Sequence, residues 1–451
     1  MTTKKRARLG STVTNILFAI LIYCSTFTQK FNVIPLVSAQ ATPLKIAIST
    51  GPWDLTILQN VPSIRWGNTT EFPRYTLKEV YYSNETYQGQ ATWVFAYLAI
   101  PKDSGDQPLP AMVLVHGGGG SAYQNWVAQW AQRGYVAIAM DLSGNGPNHQ
   151  RLTNGGPPQN DATTFTEISV NSIKDMWPYH AVAAVIRSIS VLAALPEVDP
   201  SRIGIMGISW GGYLSAIVVG LDQRLTAAII VYGTGYYSED SYWKNIILNL
   251  SQEQQSLWVS NFDPKQYLTQ SSLPIFWATG TNDFAFPLNS WQKSYQLGHG
   301  TNLLRIIPNW PHNNETPWNT FEFQVFADQH LVNGPSLPQI SGPNVRDDMV
   351  VLSYKSTFPI NKAELHFTID TTRFSGRTWQ SIQFSLRPNQ AIVIIPLPPR
   401  ATALFVNLIT SEGLIISSDL LISPSNTFLK DLRENYPCRN YWHATNTPPK
   451  C

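Results

Sequence analysis

Apolar and polar positions along the chain follow two rhythms. Over residues 76–100 the period is two: Trp93, Phe95, Tyr97 and Ala99 alternate with Val94, Ala96 and Leu98, which predicts antiparallel strands. Over residues 111–332 short apolar runs recur with amphipathic stretches between them, the pattern of an α/β body in which helices cover a mostly parallel sheet. The runs predict strands at 111–115, 135–140, 203–208, 227–232, 273–278 and 303–307. One intervening helix carries Trp126, Val127 and Trp130 on a face, with Ser121 as its expected cap and Gly134 as its stop. Another carries Val182, Val185, Ile186 and Ile189, and a last one, with Phe321, Val325 and Phe326, closes the body. After Asn333-Gly334-Pro335 the period returns to two: Leu365, Phe367 and Ile369, then Ile382, Phe384 and Leu386, then Leu404, Val406 and Leu408. This predicts a small C-terminal β-sandwich centred on residues 343–424 with no cluster of catalytic groups. The expected divisions are a leader at 1–40, the α/β body at 41–334, the sandwich at 335–430 and a tail at 431–451.

Composition narrows the class. With 43% hydrophobic residues the 451-residue chain buries a real core, and 31 Lys+Arg against 29 Asp+Glu leave no strong field to attract nucleic acid. The leader is the basic part: Lys4, Lys5, Arg6 and Arg8 precede an apolar run at 16–23, and small residues at Val37-Ser38-Ala39-Gln40-Ala41 suit a peptidase. Secretion is therefore expected, the alternative being an uncleaved N-terminal anchor. Cys24 lies in the leader; Cys438 and Cys451 lie in the tail, where they close one small loop or stay as two free thiols. No Cys/His spacing resembles a zinc site, and no cofactor is expected. Sequons at Asn68, Asn84, Asn249 and Asn314 are glycosylation acceptors if the route is a eukaryotic secretory one.

The chemistry concentrates in Ile203-Gly204-Ile205-Met206-Gly207-Ile208-Ser209-Trp210-Gly211-Gly212-Tyr213, an apolar strand that runs through Gly-x-Ser-x-Gly into a helix. A serine at such a turn projects its hydroxyl above the sheet edge, and the flanking glycines remove Cβ atoms that would collide. Ser209 is the candidate nucleophile. A base must follow an acid in chain order, and of His299, His312 and His330 only His312 falls in a loop directly after a strand, so it is the expected general base. Asp283, in Gly280-Thr281-Asn282-Asp283 after the penultimate strand, is the expected orienting acid, with Glu239 and Asp240 as rivals. Trp210 N–H and a glycine of His116-Gly117-Gly118-Gly119-Gly120, most simply Gly118, supply the expected oxyanion donors. The glycine run lacks the Gly-Lys-Ser/Thr ending of a phosphate cradle. Residues 141–175 read as a long loop over the sheet edge, and Tyr236, Tyr237 and Trp243 (with Trp258) as pocket lining or, equally, as core.

These motifs, together with Leu195-Pro196-Glu197-Val198-Asp199-Pro200-Ser201-Arg202 before the elbow, resemble the α/β-hydrolase superfamily over residues 75–332. Within it they are similar to the acetylxylan esterase and dienelactone-hydrolase-like group, which borders the prolyl oligopeptidase catalytic domains. The downstream sandwich resembles the C-terminal β module of some secreted bacterial members. The resemblance implies a serine hydrolase with Ser209, Asp283 and His312 as its triad, acting on a carbohydrate ester or other small-molecule ester through an acyl-enzyme. A peptidase or dienelactone-type hydrolase is the enzymatic alternative, although the stretch before the first hydrolase strand is too short for a propeller. A non-catalytic binding protein is a further alternative. The chain departs from the group's usual Pro-His-Gly loop in having Asn313 after His312 and a sequon at Asn314, where a glycan would narrow access.

Overall fold

Nine strands, with helices between most of the later ones, build the α/β body: β1 (Ile64–Glu71), β2 (Tyr75–Ser83), β3 (Trp93–Pro101), β4 (Leu109–Val115), β5 (Val136–Met140), β6 (Val198–Ile208), β7 (Leu225–Val231), β8 (Ile275–Gly280) and β9 (Asn302–Ile307). They stand in the order β1-β2-β3-β5-β4-β6-β7-β8-β9. Pairing is antiparallel from β1 to β5 and parallel from β5 to β9. The computed structural model describes residues 49–423 other than 103, 104, 106, 388 and 389, so the predicted leader, the tail and all three cysteines lie outside the described residues.

Covering by helices explains why the central strands read as continuous apolar runs. Every residue of β5 and β8 is buried, and so is every residue of the helix Trp177–Ala193 up to Leu192. Each fully buried Val or Ile side chain there contributes roughly 1.5–3 kcal/mol relative to exposure. On the helix Gln124–Ala131, Trp126, Val127 and Trp130 are buried as their spacing requires, but Ser121 does not cap it. Tyr123 holds the cap position without a side-chain bond, and Ser121 Oγ lies 3.4 Å from His149 Nε2 instead. The closing helix, Glu322–Leu331, buries Val325 and Phe326, whereas Phe321 precedes it and is 59% exposed.

The C-terminal strands are β10 (Gln339–Arg346), β11 (Met349–Lys355), β12 (Ile360–Thr368), β13 (Gln380–Ser385), β14 (Ile392–Pro396), β15 (Ala403–Thr410), β16 (Ile415–Ser417) and β17 (Leu421–Ile422). One layer is the sheet β10-β11-β14. The other, β16-β15-β12-β13, continues the central sheet, because Ser417 of β16 pairs with Leu304 of β9. Val350, Leu352, Leu365, Phe367, Val393, Leu404, Val406 and Leu408 form the core between the layers. Ile369 and Ile382 stay exposed, since Ile369 lies past the end of β12 and Ile382 sits on the edge strand β13. Among the described residues no helix is long and apolar enough to cross a membrane.

Candidate active site

The sharp turn at Ser209 follows from what precedes and follows it. Strand β6 ends at Ile208, the helix Trp210–Leu221 begins at once, and Ser209 between them takes φ 60° and ψ −120°. A non-glycine residue stays in that left-handed region only when its surroundings force it there. Here Ser209 N–H donates to Val231 O (2.8 Å) and Tyr213 N–H donates to Ser209 O (3.0 Å). Close approach dictates the glycines: a Cβ on Gly207 would strike Gly211 O, and one on Gly211 would strike Val115 O.

Three side chains named from the sequence meet above this sheet edge. His312 Nε2 lies 2.8 Å from Ser209 Oγ, and its Nδ1 lies 2.7 Å from Asp283 Oδ2. Asp283 Oδ1 accepts the N–H groups of Ala285 (2.8 Å) and Phe286 (2.7 Å), so the buried carboxylate is fixed on both oxygens. With Asp283 accepting from Nδ1–H, the lone pair of the neutral imidazole is at Nε2, turned to the serine hydroxyl. The imidazole is also held by its faces. Tyr232 stacks on it at 4.4 Å and donates its hydroxyl to Pro311 O (2.9 Å), while Phe286 lies near-parallel at 5.9 Å.

The rivals are engaged elsewhere. Glu239 pairs with Lys293, and Asp240 pairs with Arg373 at 3.0 Å. His330 packs on Phe326, and His299 N–H donates to Ser271 O.

The glycine run lies against the elbow: a Cβ on Gly117 would stand 2.9 Å from Ser209 Cβ, and one on Gly118 would stand 2.8 Å from Trp210 Cδ1. Among the described residues neither Gly118 N–H nor Trp210 N–H donates a hydrogen bond, and Trp210, as the first residue of its helix, has no intrahelical acceptor. His116 sets the loop's course. It packs inside, donates Nδ1–H to Gly117 O (2.7 Å) and accepts Leu142 N–H at Nε2 (3.1 Å), and burial lowers its pKa so that the neutral form persists. Asn314 lies at the same place, its Oδ1 3.1 Å from where a Gly117 Cβ would be. Asn84, another sequon residue, turns inward and donates Nδ2 to His180 O (3.0 Å).

The expected pocket residues divide. Tyr237 is fully buried and packs on Tyr213 and Trp258, so it belongs to the core rather than to a pocket wall. Its turn is held by Asp263, which accepts Tyr236 N–H (2.9 Å) and Tyr237 N–H (3.1 Å). Tyr236 is half-buried beneath the ammonium groups of Lys265 and Lys293, with no tie to Ser209. Trp243 is part-buried and lies 4.5 Å from the Trp210 ring. The 141–175 loop is more ordered than its polarity suggests: Phe165 inserts beside Trp210 (6.0 Å) and Trp258 (5.4 Å). Beside His312 stands an exposed ring that the periodicity did not single out, Phe284, with the exposed ring of Tyr242 packed against it. Among the described residues no group of three or more His, Cys, Asp or Glu is placed to hold a metal ion.

Residues 94–300 match the model of the dienelactone hydrolase family. Acetyl esterase Axe7A of Xylanibacter ruminicola is 23% identical over 212 residues, 43% of this chain and 46% of the relative. The uncharacterized peptidase YuxL of Bacillus subtilis is 22% identical over 229 residues, 46% of this chain and 32% of the relative. The chain thus spans less than half the length of these curated relatives. Among solved structures, an acetyl xylan esterase from Paenibacillus sp. R4 superposes with a TM-score of 0.53 at 21% identity, over 61% of this chain and 92% of that one, a likeness of fold.

Proposed function

We propose, from the premise that the chain carries a dienelactone hydrolase family domain on an α/β-hydrolase fold, that it is an exported serine hydrolase that cleaves carboxylic esters, acetyl esters of carbohydrates foremost. The observation that carries the proposal is the unbroken chain of contacts from Ser209 Oγ through His312 to Asp283, at 2.8 and 2.7 Å. In this account His312 Nε2 takes the hydroxyl proton as Ser209 Oγ attacks the ester carbonyl. The oxyanion is received by Trp210 N–H and Gly118 N–H, and Asp283 stabilises the imidazolium. The C–O bond to the alcohol then breaks, and His312 passes its proton to the leaving oxygen. Water, deprotonated by His312, attacks the acyl-enzyme and releases the acid and Ser209. No step calls for a metal or cofactor.

A small acyl group is favoured by what surrounds Trp210, which packs edge-on to Trp177 (5.4 Å) and tilted against Trp243 (4.5 Å) with its own edge on Gly118. The acetyl esterase named among the relatives supports the same choice. Export rests on the leader pattern of the first 41 residues. The test is hydrolysis of p-nitrophenyl acetate by the wild type and by Ser209→Ala. Loss of the one nucleophilic oxygen is expected to lower kcat by about 10⁴-fold or more at unchanged thermal stability. Equal rates in the two proteins would refute the proposal.

A further inference from the structure

The two flanks of the site differ. Most rings around Trp210 are buried, but the Phe284 side chain beside His312 is 54% exposed, and Tyr242, packed against Phe284, is 63% exposed. The Phe284 ring lies 5.2 Å from the His312 ring, and the Tyr242 ring lies 5.8 Å from Phe284 at an interplanar angle of 86°. Together they make an exposed corner of two rings, of which Phe284 packs against the imidazole.

Both rings are carried by fixed backbone. Phe284 occupies the turn whose following N–H groups bond to Asp283, and Tyr242 N–H donates to Ala285 O (3.1 Å). One loop of the C-terminal module braces both segments. Arg373 pairs with the Asp240 carboxylate at 3.0 Å and donates to Asp240 O (2.8 Å), two residues before Tyr242. Asn282, two residues before Phe284, donates Nδ2 to Arg377 O (2.7 Å) and Ser375 O (3.2 Å). The Arg373–Asp240 pair offsets the charge of the carboxylate two residues before Tyr242. Rigid aromatic side chains on fixed backbone lose little entropy when a ligand covers them.

We propose that Phe284 and Tyr242, braced by the Arg373–Arg377 loop, bind a pyranose ring of the alcohol that the ester releases. The inference rests on the ester-hydrolase account above, in which His312 gives its proton to the leaving oxygen, so the alcohol lies against the imidazole. A pyranose chair meets two roughly perpendicular rings through the C–H bonds of two of its sides.

The experiment compares kcat/KM for an acetylated xylo-oligosaccharide with kcat/KM for ethyl acetate, whose alcohol is too short to span the corner. The ratio of the two is expected to fall about 3- to 10-fold in Phe284→Ala and again in Tyr242→Ala. Arg373→Ala, which keeps both rings but frees the Asp240 segment, is expected to lower the ratio by less. An unchanged ratio in all three variants would overturn the proposal. If the wild type cleaved neither ester, the ester-hydrolase account would fail by itself. Calorimetric binding of unacetylated xylotetraose would then decide on the corner: loss of binding in the double variant Phe284→Ala/Tyr242→Ala upholds it. Equal binding, or none by the wild type, overturns it.

Discussion

His312 is held by more than its two hydrogen bonds. Tyr232 covers one face at 4.4 Å and, through its hydroxyl on Pro311 O, fixes the backbone just before the histidine. Tyr232 itself takes φ 58°, an uncommon conformation for an aromatic residue and one that places it beside the elbow. Tyr232→Phe removes one hydrogen bond of about 1 kcal/mol and is expected to lower kcat about 3- to 10-fold with KM little changed. Tyr232→Leu, which also removes the stacked ring, is expected to lower kcat further. A matching rise in KM, or no change in kcat, would show that Tyr232 does not position the base. Local chemistry explains which residues were legible in the sequence. Gly207 and Gly211 flank Ser209 because the turn itself excludes a Cβ, so the requirement is written within five residues. His312 and Asp283 are legible through chain order, each lying in the loop that follows a strand. Tyr232, Phe284 and Phe286 left no such trace, since their relation to His312 exists only after β7, β8 and β9 have been laid side by side. For Tyr237 the sequence left pocket lining and core equally open, and the structure buries it, with the Asp263 carboxylate accepting its N–H.

At the scale of elements, strands buried on both faces were legible as apolar runs, while β1 was not. Seven of its eight residues are exposed, and its sequence, Ile64-Arg65-Trp66-Gly67-Asn68-Thr69-Thr70-Glu71, carries no apolar alternation because it is the outermost strand. Helix ends were less legible than helix faces: Ser121 has the right chemistry for a cap, but the chain extends two residues past it before turning helical. Two buried histidines sit within regular elements, His180 in the helix Trp177–Ala193 and His366 in β12, and burial lowers each pKa to about 4. An unfolded histidine has a pKa near ~6.5, so between about pH 6.5 and 4 the unfolded chain binds protons that the folded chain refuses. Stability is then full above about pH 6.5 and falls as the pH drops, by up to about 1.4 kcal/mol per pH unit for each histidine. Asp263 and Asp419, whose pKa values burial raises, oppose the trend at its acid end. Urea denaturation at pH 7, 6 and 5 is expected to show this decline, with a shallower slope in His366→Gln. A stability that is flat over that range would contradict it.

At the scale of the molecule, the C-terminal strands are joined to the α/β body rather than merely appended. Ser417 brings β16 onto β9, with Ile306 N–H donating to Ser417 Oγ (2.7 Å), and Ile415 N–H donates to Glu322 Oε1 (2.6 Å). Periodicity predicted the sandwich but gave no sign of this join, because a single paired residue at a strand end has no pattern. The same join brings the Arg373–Arg377 loop to Asn282, one residue from the carboxylate that orients His312. In the proposed reaction the whole arrangement converges on one oxygen, Ser209 Oγ, which lies 2.8 Å from His312 Nε2 and whose reactivity would depend on that contact. The most direct measurement is intact-protein and peptide mass spectrometry after treatment with a fluorophosphonate, which phosphonylates only activated serines. A single adduct on the Ser209 peptide of the wild type, slowed at least about 10³-fold in His312→Ala, is the predicted result. No adduct, an adduct on another serine, or equal labelling of the two proteins would contradict the account.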